Sequence, residues 1–428
     1  MRSLFAPLTL AVFCSHFIAA QAQSVPGNAP SASDVAPAMG SLTLSQAMRL
    51  ALAHNSDLAV ARLELQAMEA AELQAGTRPN PELGMQVEDT RRATRTTTLQ
   101  WSQPIELGGK RSARLSAAAR SREQAAVALL AKQAQLRAAV ATSFFEVLST
   151  QEQVRLTQAS LELARKVSAI AGKRLQAGKV PPLEQAKAQV AEAGVRAELA
   201  QAQSDLLMAR QRLTSFWGQG TGVFVRVDGQ TEALPDLPTA QRLENLLAQA
   251  PEIRLAQLDI AKRQALVEGE RAKRVPDLTV TLGAKRDAEL GRTQAIVGLS
   301  IPLPLMDTNQ GNLSEALRRE EQARESLTGT TLRVQTDAAQ AVERLRLARE
   351  QVQMLRAEAL PAAQSAYDAA VKGYELGKFA FLDVLDAQRT LFPLRQQILR
   401  STADAYRAAA ELDRLLGRDA QQDEKSPE

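Results

Sequence analysis

The chain has 428 residues, with 52 Lys and Arg against 48 Asp and Glu and a formal net charge of +4. Charges this evenly mixed exclude a polyanion-binding surface, and 4% aromatic residues exclude a stacking platform for bases, so no nucleic-acid partner is expected. With one cysteine and two histidines, of which Cys14 and His16 lie in the first 22 residues and His54 stands alone, the usual His/Cys catalytic and zinc constellations are missing, so no catalysis, cofactor or high-affinity metal site is expected.

The N-terminus carries Arg2, an apolar run from Leu4 to Ala20 and a small-x-small triplet, Ala20-Gln21-Ala22. Residues 1–22 therefore read as a secretory signal, and an uncleaved anchor is the rival reading, the run being short for a membrane span of about 20 residues. Cys14 lies inside the signal, so the mature chain is expected outside the cytoplasm with no cysteine. Residues 23–40, rich in Ala, Pro, Ser and Gly, read as a flexible mature N-terminus. Ser45 is the expected N-cap of a helix from Gln46 to about Ala75, broken near His54-Asn55 and ended by Gly76 to Pro81. No later segment approaches 18 uninterrupted apolar residues, so any crossing of a bilayer is by strands.

From Glu82 the apolar period changes to two. Leu83, Met85 and Val87 alternate with polar residues, as do Thr97, Leu99 and Trp101, and strands are expected at about 82–91 and 97–104. Strands of this length can span a membrane; they can equally form a hairpin half-buried on a soluble core, and Trp101 suits either a lipid-facing or a core position. Residues 109–216 form a long helical hairpin, because Gly109 to Gln176 has no proline and one glycine, and Gly178-Lys179-Val180-Pro181-Pro182 supplies the stop. Trp217 is expected to pack at the end of the return helix, followed by an inter-repeat loop at 221–240.

The second half repeats the first. Strands are expected at about 277–286 and 294–303, and a long hairpin at 312–416 with Pro361 as the kink, Gly329 a weaker candidate and Gly377-Lys378-Phe379-Ala380-Phe381 as the turn. Pro81-Glu82-Leu83 answers Pro276-Asp277-Leu278 at an offset of 195, and Gly178-Lys179 answers Gly377-Lys378 at 199. An offset this steady marks a duplication, with repeats at 41–220 and 241–417 and a polar, disordered tail at 418–428. The expected fold is mainly α with a small β part, built of duplicated long helical hairpins. Four strands cannot close a barrel, and an open sheet edge in lipid is prohibitive, so a membrane setting requires several chains to share one barrel.

Arg78-Pro79-Asn80-Pro81-Glu82-Leu83 and Ser102-Gln103-Pro104-Ile105-Glu106-Leu107-Gly108-Gly109-Lys110-Arg111, set in this duplicated frame, resemble the trimeric outer-membrane efflux proteins of the TolC type, in their cobalt-zinc-cadmium branch. The resemblance implies a homotrimer, each chain giving four strands to a shared transmembrane β-barrel that the helices continue as an α-barrel tunnel through the periplasm. It implies a passive conduit in the Gram-negative outer membrane for divalent heavy-metal cations. The partners it implies are outer-membrane lipid, a periplasmic adaptor and an inner-membrane pump of the resistance-nodulation-division class.

Gly373-Tyr374-Glu375-Leu376-Gly377 and Leu382-Asp383-Val384-Leu385-Asp386-Ala387 match the segment that lines the family's periplasmic entrance. Asp383 and Asp386 would form the entrance ring and Tyr374 the latch; where the latch usually has an arginine, this chain has Phe379. Gly178, Lys179, Gly377, Lys378, Phe379 and Phe381 are the hairpin-tip candidates for docking the adaptor. A helix N-terminal carboxylate favoured by the macrodipole is the plain reading of Asp383, and a hairpin staple that of Phe381. A conduit for drugs or secreted polypeptides, and an exported periplasmic coiled-coil scaffold with the strands as caps, remain the alternative functions. They differ in where the apolar side of each strand faces.

Overall fold

The computed structural model describes residues 39–218, 224–229 and 234–417. The expected signal at 1–22, most of the segment at 23–40 and the tail at 418–428 lie outside the described residues.

The first described strand, β1 (Met39–Thr43), runs into α1 (Leu44–His54). Thr43, not Ser45, is the N-cap: its hydroxyl accepts from Gln46 N, and the Gln46 side chain accepts from Thr43 N at 2.9 Å. A glutamine three residues after the threonine closes this reciprocal box, which moves the helix start toward the N-terminus. Asn55 ends α1 and caps α2 (Ser56–Ala75) by accepting from Leu58 N at 3.0 Å.

Each repeat then contributes one antiparallel hairpin. β2 (Glu82–Glu88) and β3 (Thr96–Ile105) form the first, β5 (Leu278–Asp287) and β6 (Arg292–Ser300) the second. β2 stops before the expected residue 91 because Asp89 adopts φ 64° and its carboxylate accepts from Arg91 N and Thr94 Oγ1, which starts the turn. β6 stops at Ser300, before the expected residue 303; Pro302 and Pro304 carry no N–H with which to continue a ladder on β5. The two hairpins join as one sheet in the order β2-β3-β5-β6.

The first long helix, α3 (Lys110–Gln176), has 67 residues and a length of about 100 Å, and α4 (Pro182–Thr214) returns beside it. The expected loop at 221–240 holds a strand, β4 (Phe224–Asp228), which pairs in parallel with β1, Leu42 opposite Val227. This pairing is nonlocal and leaves no local periodicity to read. In the second repeat α5 (Ala240–Leu247) and α6 (Pro251–Lys273) precede the strands. The second rod consists of α7 (Gln310–Met354), a π-helical turn at Leu355–Ala359 and α8 (Leu360–Glu375). Pro361 lies in the first turn of α8, where the wider π turn accommodates its missing donor, whereas Gly329 leaves α7 continuous. The last helix is α9 (Phe381–Leu416).

The two largest hydrophobic cores among the described residues hold the helical body at its waist and at the hairpin tips. Near the waist Leu42, Leu58, Phe144, Leu213, Trp217 and Val227 close around the β1–β4 pair, with Trp217 buried at the end of α4. At the far end Val167, Ala171 and Ala188 of the first hairpin pack with Tyr367, Tyr374, Phe381 and Val384 of the second. Burying each large side chain contributes about 1.5–3 kcal/mol, so the two hairpins are held as one body.

Candidate functional site

The register of the sheet decides what its faces can meet. Leu83 stands opposite Trp101, Trp101 opposite Leu282, and Leu282 opposite Val297, a transverse apolar row across all four strands. Met85, Leu99, Ala284 and Ala295 make the next row on the same face. Gln86, Thr98, Lys285 and Gln294 form a row on the opposite face. The apolar face is the open one: Leu83 is 75% and Val297 77% exposed, whereas Gln100 and Thr98 are half-buried. A hairpin laid on a soluble core would reverse this, so the face suits hydrocarbon on one side and water on the other. Trp101 belongs to the open face and not to a core.

Each outer strand has one neighbour: β2 pairs with β3 and β6 with β5, and their other edges carry no strand among the described residues. Among those residues no helix is long and apolar enough to cross a membrane, and no group of three or more His, Cys, Asp or Glu could hold a metal.

The hairpin tips lie at the other end of the rods. Gly178 (φ 67°) and Gly377 (φ 72°) are left-handed, a conformation that glycine adopts without the strain of a Cβ. Gly178 N donates to Leu175 O at 2.9 Å and Lys179 N to Arg174 O at 2.8 Å; Gly377 N donates to Tyr374 O at 2.9 Å and Lys378 N to Gly373 O at 2.8 Å. Both tips are thus the same Schellman stop, dictated by the Gly-Lys pair.

Side chains then separate the tips. Tyr374 is 1% exposed, its hydroxyl donates to Glu184 Oε1 at 3.1 Å, and the Arg174 guanidinium lies 5.0 Å over its ring. Burial, followed by the charge of Glu184, pushes the Tyr374 phenol above its usual range. The tyrosine read as a latch is therefore engaged inside one chain, tying the second hairpin to α4 of the first. Glu184 and Arg174 were not singled out in the sequence; the 199-residue offset, which equates Glu184 with Asp383, was the available signal.

Phe381 is buried, its ring centroid 5.9 Å from that of Tyr374. A ring inside the tip core presents little surface for docking, and this burial fits the staple reading of Phe381. Phe379 is half exposed and lies flat against Gly373, where an added Cβ would come within 2.2 Å of its ring. Lys179 and Lys378 are exposed on the turns.

Asp383 and Asp386 are exposed on the first turns of α9, three residues apart and hence on one helical face. Asp383 also caps its helix, accepting from Ala380 N at 2.8 Å, so the macrodipole reading holds alongside any other role. The Asp386 carboxylate has no hydrogen-bond or ion-pair partner among the described residues. Beside the tips, Leu183, Val190, Leu382, Leu385 and Phe392 line a groove between α4 and α9 of about 700 Å³, with Lys187, Glu198 and Arg389 also lining it.

Against known proteins, the Outer membrane efflux protein family matches residues 47–219 and 243–418. The chain is 43% identical over 418 residues to the cobalt-zinc-cadmium resistance protein CzcC of Cupriavidus metallidurans, covering 98% of this chain and 100% of that one. It is 28% identical over 249 residues to the nickel-cobalt-cadmium resistance protein NccC of Alcaligenes xylosoxydans xylosoxydans, covering 57% and 55% of the two chains. Among solved structures its fold is similar to that of CusC, with a TM-score of 0.76 and 21% identity over 88% of this chain and 93% of that one. A membrane protein from Pseudomonas aeruginosa superposes with a TM-score of 0.77 and 21% identity, covering 87% and 92%.

Proposed function

Because the chain belongs to the outer membrane efflux protein family, we propose that it is the outer-membrane channel of a tripartite efflux system and exports divalent heavy-metal cations. The observation that carries the conduit is the sheet: an apolar face turned outward on four strands whose two outer edges have no partner among the described residues. Unpaired backbone groups cannot be left in hydrocarbon, so neighbouring copies must supply the missing strands. Three copies give a twelve-stranded barrel, water-filled on its polar face and continued through the periplasm by the long helical hairpins.

The cargo reading rests on the 43% identity to a cobalt-zinc-cadmium resistance protein across its whole length. The duct does no chemistry; it lowers the barrier for a hydrated cation. Three-fold symmetry stacks Asp383 and Asp386 into two rings of three carboxylates at the periplasmic entrance, which raise the local cation concentration and bind a divalent ion weakly. Tyr374, held by Glu184 and Arg174, positions that entrance by fixing α8 against the first hairpin. The tips at Gly178, Lys179, Gly377, Lys378 and Phe379, with the apolar groove beside them, receive the periplasmic adaptor, which links the channel to an inner-membrane pump of the resistance-nodulation-division class.

Outer-membrane extraction followed by light scattering in detergent tests the conduit, with a trimer expected; a soluble monomer or dimer would mean that the strands are caps. Deleting the protein from a host that carries the matching pump should lower tolerance to cobalt, zinc or cadmium, and unchanged tolerance to all three would overturn the cargo.

A further inference from the structure

The segment after β6 is the most exposed apolar stretch of the sheet region, with Leu303 73%, Leu305 84% and Met306 92% exposed. It has no strand partner among the described residues, and the Leu305 N–H turns back onto Leu303 O at 2.9 Å. Yet Ile301, Leu303 and Leu305 keep the period of two of the strand they follow.

The internal duplication supplies the missing partner. Offsets of 195 from β2 to β5 and 200 from β3 to β6 map the pair Leu83 and Trp101 onto Leu278 and Ile301, on the line of the β5–β6 ladder that pairs Thr279 with Ser300. The 200-residue offset also matches Pro104 with Pro304, and left-handed Gly109 with left-handed Asn309 at the two helix starts. Within one chain β3 pairs with β5 from Thr96 and Asp287 down to Ile105 and Leu278. The same two offsets carry this ladder across the open edge.

We infer that β6 of one chain pairs antiparallel with β2 of a second copy in the register Ser300 opposite Glu88, Ile301 opposite Val87, Leu303 opposite Met85 and Leu305 opposite Leu83. Pairing extends β6 through Leu305 and gives Leu303 and Leu305 a strand partner. Ile301, Leu303 and Leu305 then each meet an apolar residue on the same face, and Ser300 meets Glu88 on the polar face. The prolines fit as well. Pro104, paired with Thr279, has no N–H to give, so its open side faces away from β5; Pro302 and Pro304 share that parity and leave the N–H groups of Ile301, Leu303 and Leu305 to the neighbouring copy.

The inference rests on the shared-barrel reading and adds its register. Ser300 and Glu88 form a non-hydrogen-bonded pair, with Cα atoms expected about 4.5 Å apart, within the range for a disulfide. In a Cys14→Ser background, Ser300→Cys with Glu88→Cys should cross-link chains into dimers and trimers under mild oxidation. The yield should be several-fold above that of Ser300→Cys with Gln86→Cys or with Thr90→Cys, the two neighbouring registers. A trimer by light scattering that cross-links best through position 86 or 90 would overturn the register and leave the conduit standing. A protein that is monomeric in detergent would overturn both.

Discussion

The two hairpin tips share a backbone and differ in almost everything attached to it. At the 199-residue offset Leu175 corresponds to Tyr374, Arg174 to Gly373, Glu184 to Asp383 and Lys187 to Asp386. The first tip therefore contributes an arginine and a glutamate that grip the tyrosine of the second, and the second presents two carboxylates of which the first has one. Duplication made two equal stops; substitution turned one into a support and the other into the candidate entrance.

The largest expected break in this division is Tyr374→Ala. Removing a ring buried among Arg174, Glu184 and Phe381 should destabilise the tip core by about 3–5 kcal/mol, whereas Leu175→Ala, at a half-buried position, should cost less. Hydrogen exchange at the two tips reads the difference, and equal losses would make the tips equivalent. Next comes Gly373→Ala, whose Cβ would fall within the Phe379 ring; displacing that ring should cost about 1–3 kcal/mol and weaken adaptor binding. An unchanged adaptor affinity would remove Phe379 from the docking surface.

Tyr374→Phe sharpens the comparison more gently. Losing the hydrogen bond to Glu184 should cost about 1 kcal/mol near neutral pH. The phenol is raised in the folded state, so its contribution is complete below the usual tyrosine value of about 10 and fades as pH rises through the folded value. The alkaline loss of tip stability should therefore shrink in Tyr374→Phe, and hydrogen exchange or a denaturant series across that range would detect an unaltered slope. Asp386→Ala should leave stability within about 0.5 kcal/mol while weakening divalent-cation block of single channels in planar bilayers. Asp383→Ala should do both, weakening block and costing about 1 kcal/mol through its lost cap. Unchanged block in both would sink the ring. The Lys166–Glu375 pair at 2.7 Å, exposed and screened, should contribute below about 1 kcal/mol, and Lys166→Ala serves as the small-effect control.

The elements that were legible in the sequence are those set by local chemistry. A run of strong helix formers without proline is a rod, a Gly-Lys pair after it is a Schellman stop, and Leu83, Met85 and Val87 at every second position are one face of a strand. Offsets that barely drift expose the repeat. The β1–β4 pairing was hidden because its strands lie about 185 residues apart and neither is long enough to show a period. Thr43 was passed over for Ser45 because two hydroxyl residues compete there, and only the Gln46 side chain reaching back selects between them.

At the entrance, Asp383 and Asp386 were singled out by the resemblance of their segment to the family's entrance, and their three-residue spacing adds only that both share one helical face. The grip of Glu184 and Arg174 on Tyr374 was not visible, because it joins two hairpins whose sequences say nothing of each other's rotation. The burial of Phe381 and the exposure of Phe379 were likewise decided by packing: two phenylalanines two residues apart beside a helix start have the same composition and opposite environments.

By itself, then, the sequence determined the duplicated plan, the rods, the stops and the alternation of the strands, because propensity, capping and period act over a few residues. Only the tertiary structure decided that the apolar strand face turns outward, that two strand edges stay open, and that the first tip holds the tyrosine of the second. Those depend on which surfaces meet across the duplication, and burial and hydrogen bonding between distant segments settle them.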